Sequence, residues 1–296
     1  RLSSARWTAW TAVALGMMLL AGHLQIAFYG LIAAACWWLT EAVDLVRAGR
    51  SDAGGPSRFG LLLPAAGRGL AALVGGLALA APQVLPSMEL ARLSHRAGGP
   101  TAAGYAGYVD RALPVQNWIT LLVPDYYGLP ARNDFWGMWE YLAPNVMEYA
   151  GHVGGAAFLL ALVGLIWGRR ITPRVWALAG LAVLTLLIAT GTPLNRLFYF
   201  YLPGFAQSGS PARILVLLCF TQALLAGLGL EWLLRKVAVS PKGIALPLGV
   251  GLGVTAALLA GLHALAQANL PFVPPPGVGD PVQAVGRTFA FAASVA

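Results

Sequence analysis

The 296-residue chain is 58% hydrophobic and only 10% charged, with a formal net charge of +8. Soluble domains are about one quarter charged, so this composition excludes a water-soluble globular protein over most of the length and makes lipid the solvent. In a soluble protein the basic excess would suggest nucleic acid. Here the cations fall in short breaks between apolar runs, so no nucleic-acid partner is expected and membrane lipids are.

Seven apolar runs, at 7–21, 26–45, 69–90, 152–167, 175–190, 214–234 and 244–266, approach the roughly 20 residues a spanning helix needs. The first is short and gives way to Gly22-His23-Leu24-Gln25. The second ends in Glu41 and Asp44, with Arg47 just beyond, and a basic loop follows to Arg68 with a Gly-Gly-Pro turn at 54–56. Pro82 and Pro86 are expected to kink the third helix near its far end. The longest break, 91–151, holds Arg92, His95, Asp125, Glu140 and Glu148 among many Tyr and Trp. It is too long for an idle connector, and its Pro-Gly punctuation predicts short helices and turns. Arg169, Arg170, Pro173 and Arg174 form a tight basic turn before the fifth run, and a polar-aromatic loop, 191–213, follows that run. The tail is Pro-rich over 271–281 and apolar again at 289–296; with Arg1 at the other end, the chain reads as an internal piece of a longer protein. The expected fold class is therefore all-α: a polytopic transmembrane helix bundle of about seven spans. It is read as one domain over 1–296, with residues 92–151 an extracytoplasmic loop region.

Charge tests that topology. The breaks at 1–6, 47–68, 169–174 and 235–242 carry twelve cations against one acid, Asp52. The alternate breaks carry seven cations offset by seven acids. Positive loops stay cytoplasmic, so the first set is inside, and His23, His95, His152 and His263 lie at or near the outer face. Cys36 and Cys219 sit in apolar runs and read as packing residues, as do Gly75-Gly76 and the alternating Gly249, Gly251 and Gly253.

No metal-ligand, phosphate-loop or nucleophile-elbow pattern appears in the sequence. The informative residues are polar groups that interrupt apolar segments on the outer side, because such groups are costly at membrane depth and pair, line a cavity or bind something. His23 and Gln25 form either a polar turn or a ligand-facing break. Glu89 and Arg92, three apart, share a helix face and can pair structurally or meet substrate. Arg213, where the sixth run begins, has the forked donors that suit phosphate, or it snorkels to headgroups. Asp125, in Pro124-Asp125-Tyr126-Tyr127-Gly128, stands with aromatics in a mixture that suits carbohydrate and equally an interfacial belt.

Taken in order, Gly-His-Leu-Gln, Ala-Pro-Gln-Val-Leu-Pro-Ser-Met-Glu-Leu-Ala-Arg, Pro-Asp-Tyr-Tyr-Gly, Glu-Tyr-Ala-Gly, Gly-Thr-Pro-Leu, Leu-Pro-Gly-Phe and Ser-Pro-Ala-Arg resemble the YfhO-type bacterial membrane proteins, relatives of the GT-C glycosyltransferases. The resemblance spans about residues 10 to 235. It implies a multi-pass protein of the bacterial plasma membrane that takes a sugar from a polyprenyl-phosphate carrier, a lipid-linked sugar donor. The sugar passes to a cell-envelope acceptor outside, with cations or a divalent metal stabilising the departing phosphate. His23, Gln25, Glu89, Arg92, Asp125 and Arg213 are the expected substrate-binding residues, and the catalytic carboxylate is expected upstream of Arg1. Leu24 stands where relatives often have Pro, and Gln207-Ser208-Gly209 where many have an Arg. A transporter or flippase of lipid-linked precursors, which calls for interrupted helices in matching positions, and a non-catalytic membrane scaffold are the alternatives.

Overall fold

The computed structural model describes residues 2–48, 58–93, 97–132, 135–136, 146–270 and 286. The turn at 54–56, His95, Asp134, Glu140 and the stretches 271–281 and 289–296 lie outside the described residues. Among the described residues the structure is helical, with no strand. The helices are α1 Leu2–Leu20, α2 Leu24–Ala48, α3 Arg58–Leu93, α4 Ala102–Val109, α5 Gly155–Trp167, α6 Val175–Ala189, α7 Pro193–Tyr201, α8 Leu215–Val239 and α9 Ala245–Ala268. Contacts divide the chain into two compact units, Arg1–Pro100 with Ala206–Ser208, and Thr101–Phe205 with Gly209–Ala296.

Each of the seven apolar runs forms a helix, but among the described residues four helices are long and apolar enough to cross a membrane alone: Leu24–Val46, Leu62–Leu93, Pro211–Val239 and Ala245–Ala268. A fifth is reached if α6 and α7, bent by 85° at their break, count as one span. Two runs fall short for local reasons. Gly154, at φ +93°, stops the chain from entering α5 before Gly155, so α5 has 13 residues and rises about 20 Å, against a hydrocarbon core of about 30 Å. In α1, Ser4, Arg6, Thr8 and Thr11 dilute the apolar surface. The third run, in contrast, is longer than expected. α3 begins at Arg58, not Gly69, and runs 36 residues through Pro64, Pro82 and Pro86 as one helix. At about 1.5 Å per residue it measures roughly 54 Å, more than a bilayer core holds.

In the first unit, α1 and α3 cross at small residues. A Cβ on Gly76 would sit 2.8 Å from the Leu15 Cβ and 3.1 Å from the Ala12 carbonyl oxygen, so Gly75-Gly76 is a packing device. Leu19, Ala27 and Ala80 close the end of this unit where the α1–α2 turn lies. Outward, Trp7, Leu63, Leu70 and Leu85 are exposed, as lipid-facing positions are.

The second unit is built on α8, the most buried of the four long helices. α5 crosses it so closely that a Cβ on Gly164 would land on the Leu225 carbonyl and one on Gly229 on the Leu160 carbonyl. Ala161, Val175, Leu178, Leu225 and Ala226 fill the space between α5, α6 and α8. α9 adds Pro247, Gly251, Thr255 and Ala266, an apolar stripe at helical spacing. Of the three alternating glycines only Gly251 is packed; Gly249 and Gly253 face open space, because a spacing of two cannot hold one helix face. Buried hydroxyls of Thr185, Thr221 and Thr255 donate back to carbonyls of their own helices, which satisfies them without water. Cys36 and Cys219 are free thiols, half-buried in α2 and α8.

Candidate functional site

The described part of 91–151 is ordered as short helices and turns: α4, then 3-10 turns at Val115–Leu121, Pro130–Arg132 and Val146–Tyr149. Thr101 starts α4 by accepting from the Gly104 amide at 3.0 Å. The sequence 124–128 then makes a turn closed by the Gly128 amide on the Asp125 carbonyl at 2.9 Å, with Gly128 at φ +77°. That turn drives Tyr126 and Tyr127 into a core with Ile119, Leu122, Val123, Trp136 and Ala266, backed by Leu259 and Leu262 of α9. The Tyr126 hydroxyl and His263 Nδ1 share a hydrogen bond of 2.6 Å, and Gln267 donates to the same hydroxyl at 3.1 Å. Tyr127 donates to the Gln116 carbonyl at 2.6 Å. Burial, then the neighbouring Tyr126, hold the Tyr127 phenol far above its ordinary value, so it stays a donor.

Arg213 lies at the end of a second ordered loop. Thr192 caps the 191–194 turn by donating to the Leu187 carbonyl at 2.7 Å, with Pro193 opening α7. Gly191, at φ +68°, fits tightly against Val109 and Ala112. Gly204, at φ +84°, turns the chain so that Phe205 is fully buried against Tyr108 and Phe198. Ser210 then donates to the Arg111 carbonyl at 2.8 Å and accepts from the Ala212 amide. This places Arg213 just before α8, where its Nε donates to Glu148 Oε1 at 3.0 Å and its Nη2 to the same oxygen at 2.5 Å. The side chains are 34% and 19% exposed, so the pair is partly withdrawn from solvent. His152 follows, with Nδ1 3.2 Å from the Leu121 carbonyl. Beside Glu148, Tyr149 is buried, and its phenol is pushed up to about 12, first by burial and then by the Glu148 charge.

Residues on both sides of Glu148 line a cavity of about 130 Å³, formed with Asn117, Thr120, Pro124, Tyr127, Gly128, Leu129 and Phe135. Asn117 is 4% exposed and its Oδ1 has no hydrogen-bond partner. Nothing along the chain singles out Asn117, which stands beside Gln116 in Val115-Gln116-Asn117-Trp118-Ile119. The sequence reading also misses Glu148 as the partner of Arg213 and His263 as the partner of Tyr126, because each pairing joins residues remote in sequence.

The other expected residues take plainer roles. His23 is exposed in the α1–α2 turn and caps α2, with Nδ1 accepting from the Ile26 amide at 3.4 Å and its carbonyl from Ala27 at 3.1 Å. Gln25 donates to the buried Tyr29 hydroxyl at 2.7 Å. Glu89 and Arg92 are exposed on the last turns of α3, and no ion pair between them is found among the described residues. Arg92 sits where a helix C-terminus favours a cation. Asp125 is 6% exposed in its turn. Among the described residues no three of His, Cys, Asp and Glu come together to hold a metal ion. No family model, curated protein or solved structure matches the chain.

Proposed function

We propose that the chain is the membrane part of a YfhO-type, GT-C-like glycosyltransferase of the bacterial plasma membrane, moving a sugar from a polyprenyl-phosphate carrier to a cell-envelope acceptor on the extracytoplasmic side. The observation that carries this reading is the Arg213–Glu148 pair. Two of the motifs on which the resemblance rests, 65 residues apart, meet through one guanidinium and one carboxylate. A half-buried guanidinium with one edge held by a carboxylate is oriented in advance, and an oriented fork is what recognition of a phosphate requires. In this reading Arg213 binds the carrier phosphate and stabilises it as it departs, while Glu148 positions Arg213. Asp125, in the same unit as Arg213, is a further substrate contact in this reading, and a carboxylate activates the acceptor hydroxyl. The charge alternation supports seven crossings, with residues 92–151 outside and the short α5 and α6 met by local thinning of the bilayer.

The test is carrier binding by the full-length protein in nanodiscs. Arg213→Ala is expected to weaken it by about ten- to a hundredfold, the loss of roughly 1.5–3 kcal/mol that a charged hydrogen bond contributes. Arg213→Lys should recover only part, since it keeps charge and loses the fork. Unchanged affinity and unchanged sugar transfer in Arg213→Ala would sink the reading. One observation favours the transporter or flippase alternative, the 85° break between α6 and α7. Movement of labelled carrier between leaflets without sugar transfer, in the same vesicles, is the result that would select it.

A further inference from the structure

From the break between α6 and α7 we infer that α7 is an interfacial helix, lying in the plane of the membrane with Arg196, Leu197 and Tyr201 set against the phospholipid headgroup layer. The inference goes beyond the transferase reading and does not rest on it, because it needs the membrane but neither that chemistry nor its sidedness. Three observations in the second unit carry it.

The first is direction. α7 leaves α6 at 85°. α6 has the surface of a membrane helix, since Trp176, Val183 and Leu187 are exposed along one side of it at helical spacing. A helix at right angles to one that runs through the membrane lies parallel to the membrane plane. The corner is fixed, because Asn195 Nδ2 donates to the Ile188 carbonyl at 2.8 Å and seats α7 on the last turn of α6. The second is depth. Arg169, Arg170 and Arg174 hold the other end of α6 at a membrane boundary, because cations are costly in hydrocarbon. From there the 15 residues of α6 rise about 22 Å, less than the roughly 30 Å of a hydrocarbon core. α7 therefore emerges at the far headgroup layer and not in bulk water. The third is the face. Asn195 and Tyr199 are buried, with Tyr199 packed against Tyr105 and Tyr108. Away from them stand Leu197, 55% exposed, and Tyr201, 80% exposed, beside Arg196, whose guanidinium lies 5.8 Å from the Phe200 ring centre. Among the described residues no carboxylate pairs with Arg196. This composition suits the interface: the aliphatic and aromatic groups enter the acyl boundary while the guanidinium reaches a lipid phosphate. The same residues, with Pro193 and Leu194, line one open groove of about 800 Å³, a shape for a layer of headgroups and not for an enclosed ligand.

The experiment is a spin-label depth measurement on the full-length protein in nanodiscs of phosphatidylethanolamine and phosphatidylglycerol in equal parts. Cys36 and Cys219 are changed to Ser. Pro193→Cys, Leu197→Cys and Tyr201→Cys, all at exposed positions of α7, each carry one label; Val183→Cys in α6 and Ala131→Cys on an exposed turn are the references. Collision with oxygen and with a water-soluble nickel chelate gives the depth of each label. The three α7 labels are expected at one depth, with chelate collision severalfold below that at 131 and severalfold above that at 183. A helix along the membrane normal would instead spread them over about 12 Å, at 1.5 Å per residue. Arg196→Glu, which turns a carboxylate towards the phosphates, should raise chelate collision of the label at 197 at least twofold, and Arg196→Lys should leave it level. Three results would each overturn the inference. A progressive change of depth from 193 to 201 makes α7 part of a bent span. Chelate collision equal to that of either reference puts α7 in water or in hydrocarbon. No response to Arg196→Glu removes the headgroup contact.

Discussion

At the residue scale, the polar side chains sort by whether the fold supplies a partner. His23 and Gln25 are occupied with a helix cap and a tyrosine hydroxyl, so local geometry accounts for both. Arg213 is held by an acid that no local pattern predicts. Tyr149 connects this pair to pH. Its phenol is raised from the ordinary value near 10 to about 12 by burial and by Glu148. Between those values the unfolded chain releases the proton and the folded chain keeps it. The stabilisation is therefore full below pH 10 and is lost as pH rises towards 12. Thermal midpoints measured from pH 9 to pH 11.5 should fall less steeply in Tyr149→Phe than in the parent. Superimposable curves would show that this phenol is not coupled to folding. Tyr127, raised in the same direction, keeps part of the alkaline fall in both proteins.

At the element scale, the deciding contact is the crossing of α5 and α8. Without water to drive helices together, close backbone approach does much of the work in lipid, and it needs residues without side chains at the crossing. Gly164 and Gly229 each face the carbonyl four residues before the other glycine, so the two helices meet backbone to backbone. Gly164→Ala and Gly229→Ala should each force α5 and α8 apart and lower stability by about 3 kcal/mol or more, as overpacking and lost contacts combine. Gly253→Ala, in open space on α9, should be neutral or stabilising by up to about 1 kcal/mol, the helix-propensity gain over glycine. Denaturation of the three variants in one detergent separates these outcomes; equal midpoints would remove the crossing as a stabilising contact. The same element shows the limit of pattern reading. Glycine counts pointed to Gly249, Gly251 and Gly253, while the tightest helix crossing in the unit rests on two single glycines in α5 and α8.

At the scale of the whole molecule, the charge alternation predicts residues 92–151 outside and the turn at 169–174 inside. With Cys36 and Cys219 changed to Ser, Ala131→Cys should react with a membrane-impermeant thiol reagent on intact cells, and Arg170→Cys only after permeabilisation. Both positions are exposed on described turns, so access to the reagent depends on the side of the membrane. The opposite pattern would invert the topology. The amino-acid sequence by itself determined the all-helical membrane class, a helix at each of the seven apolar runs and the short turns in the described part of the long break. Each of these follows from apolar run length and from Gly and Pro punctuation, which are local properties. Tertiary structure alone decided that Glu148 holds Arg213, that Tyr126 meets His263, and that Asn117 is buried with an unpartnered Oδ1. Those pairings join residues tens to more than a hundred positions apart, and their energies depend on distance and burial, which no pattern along one chain encodes.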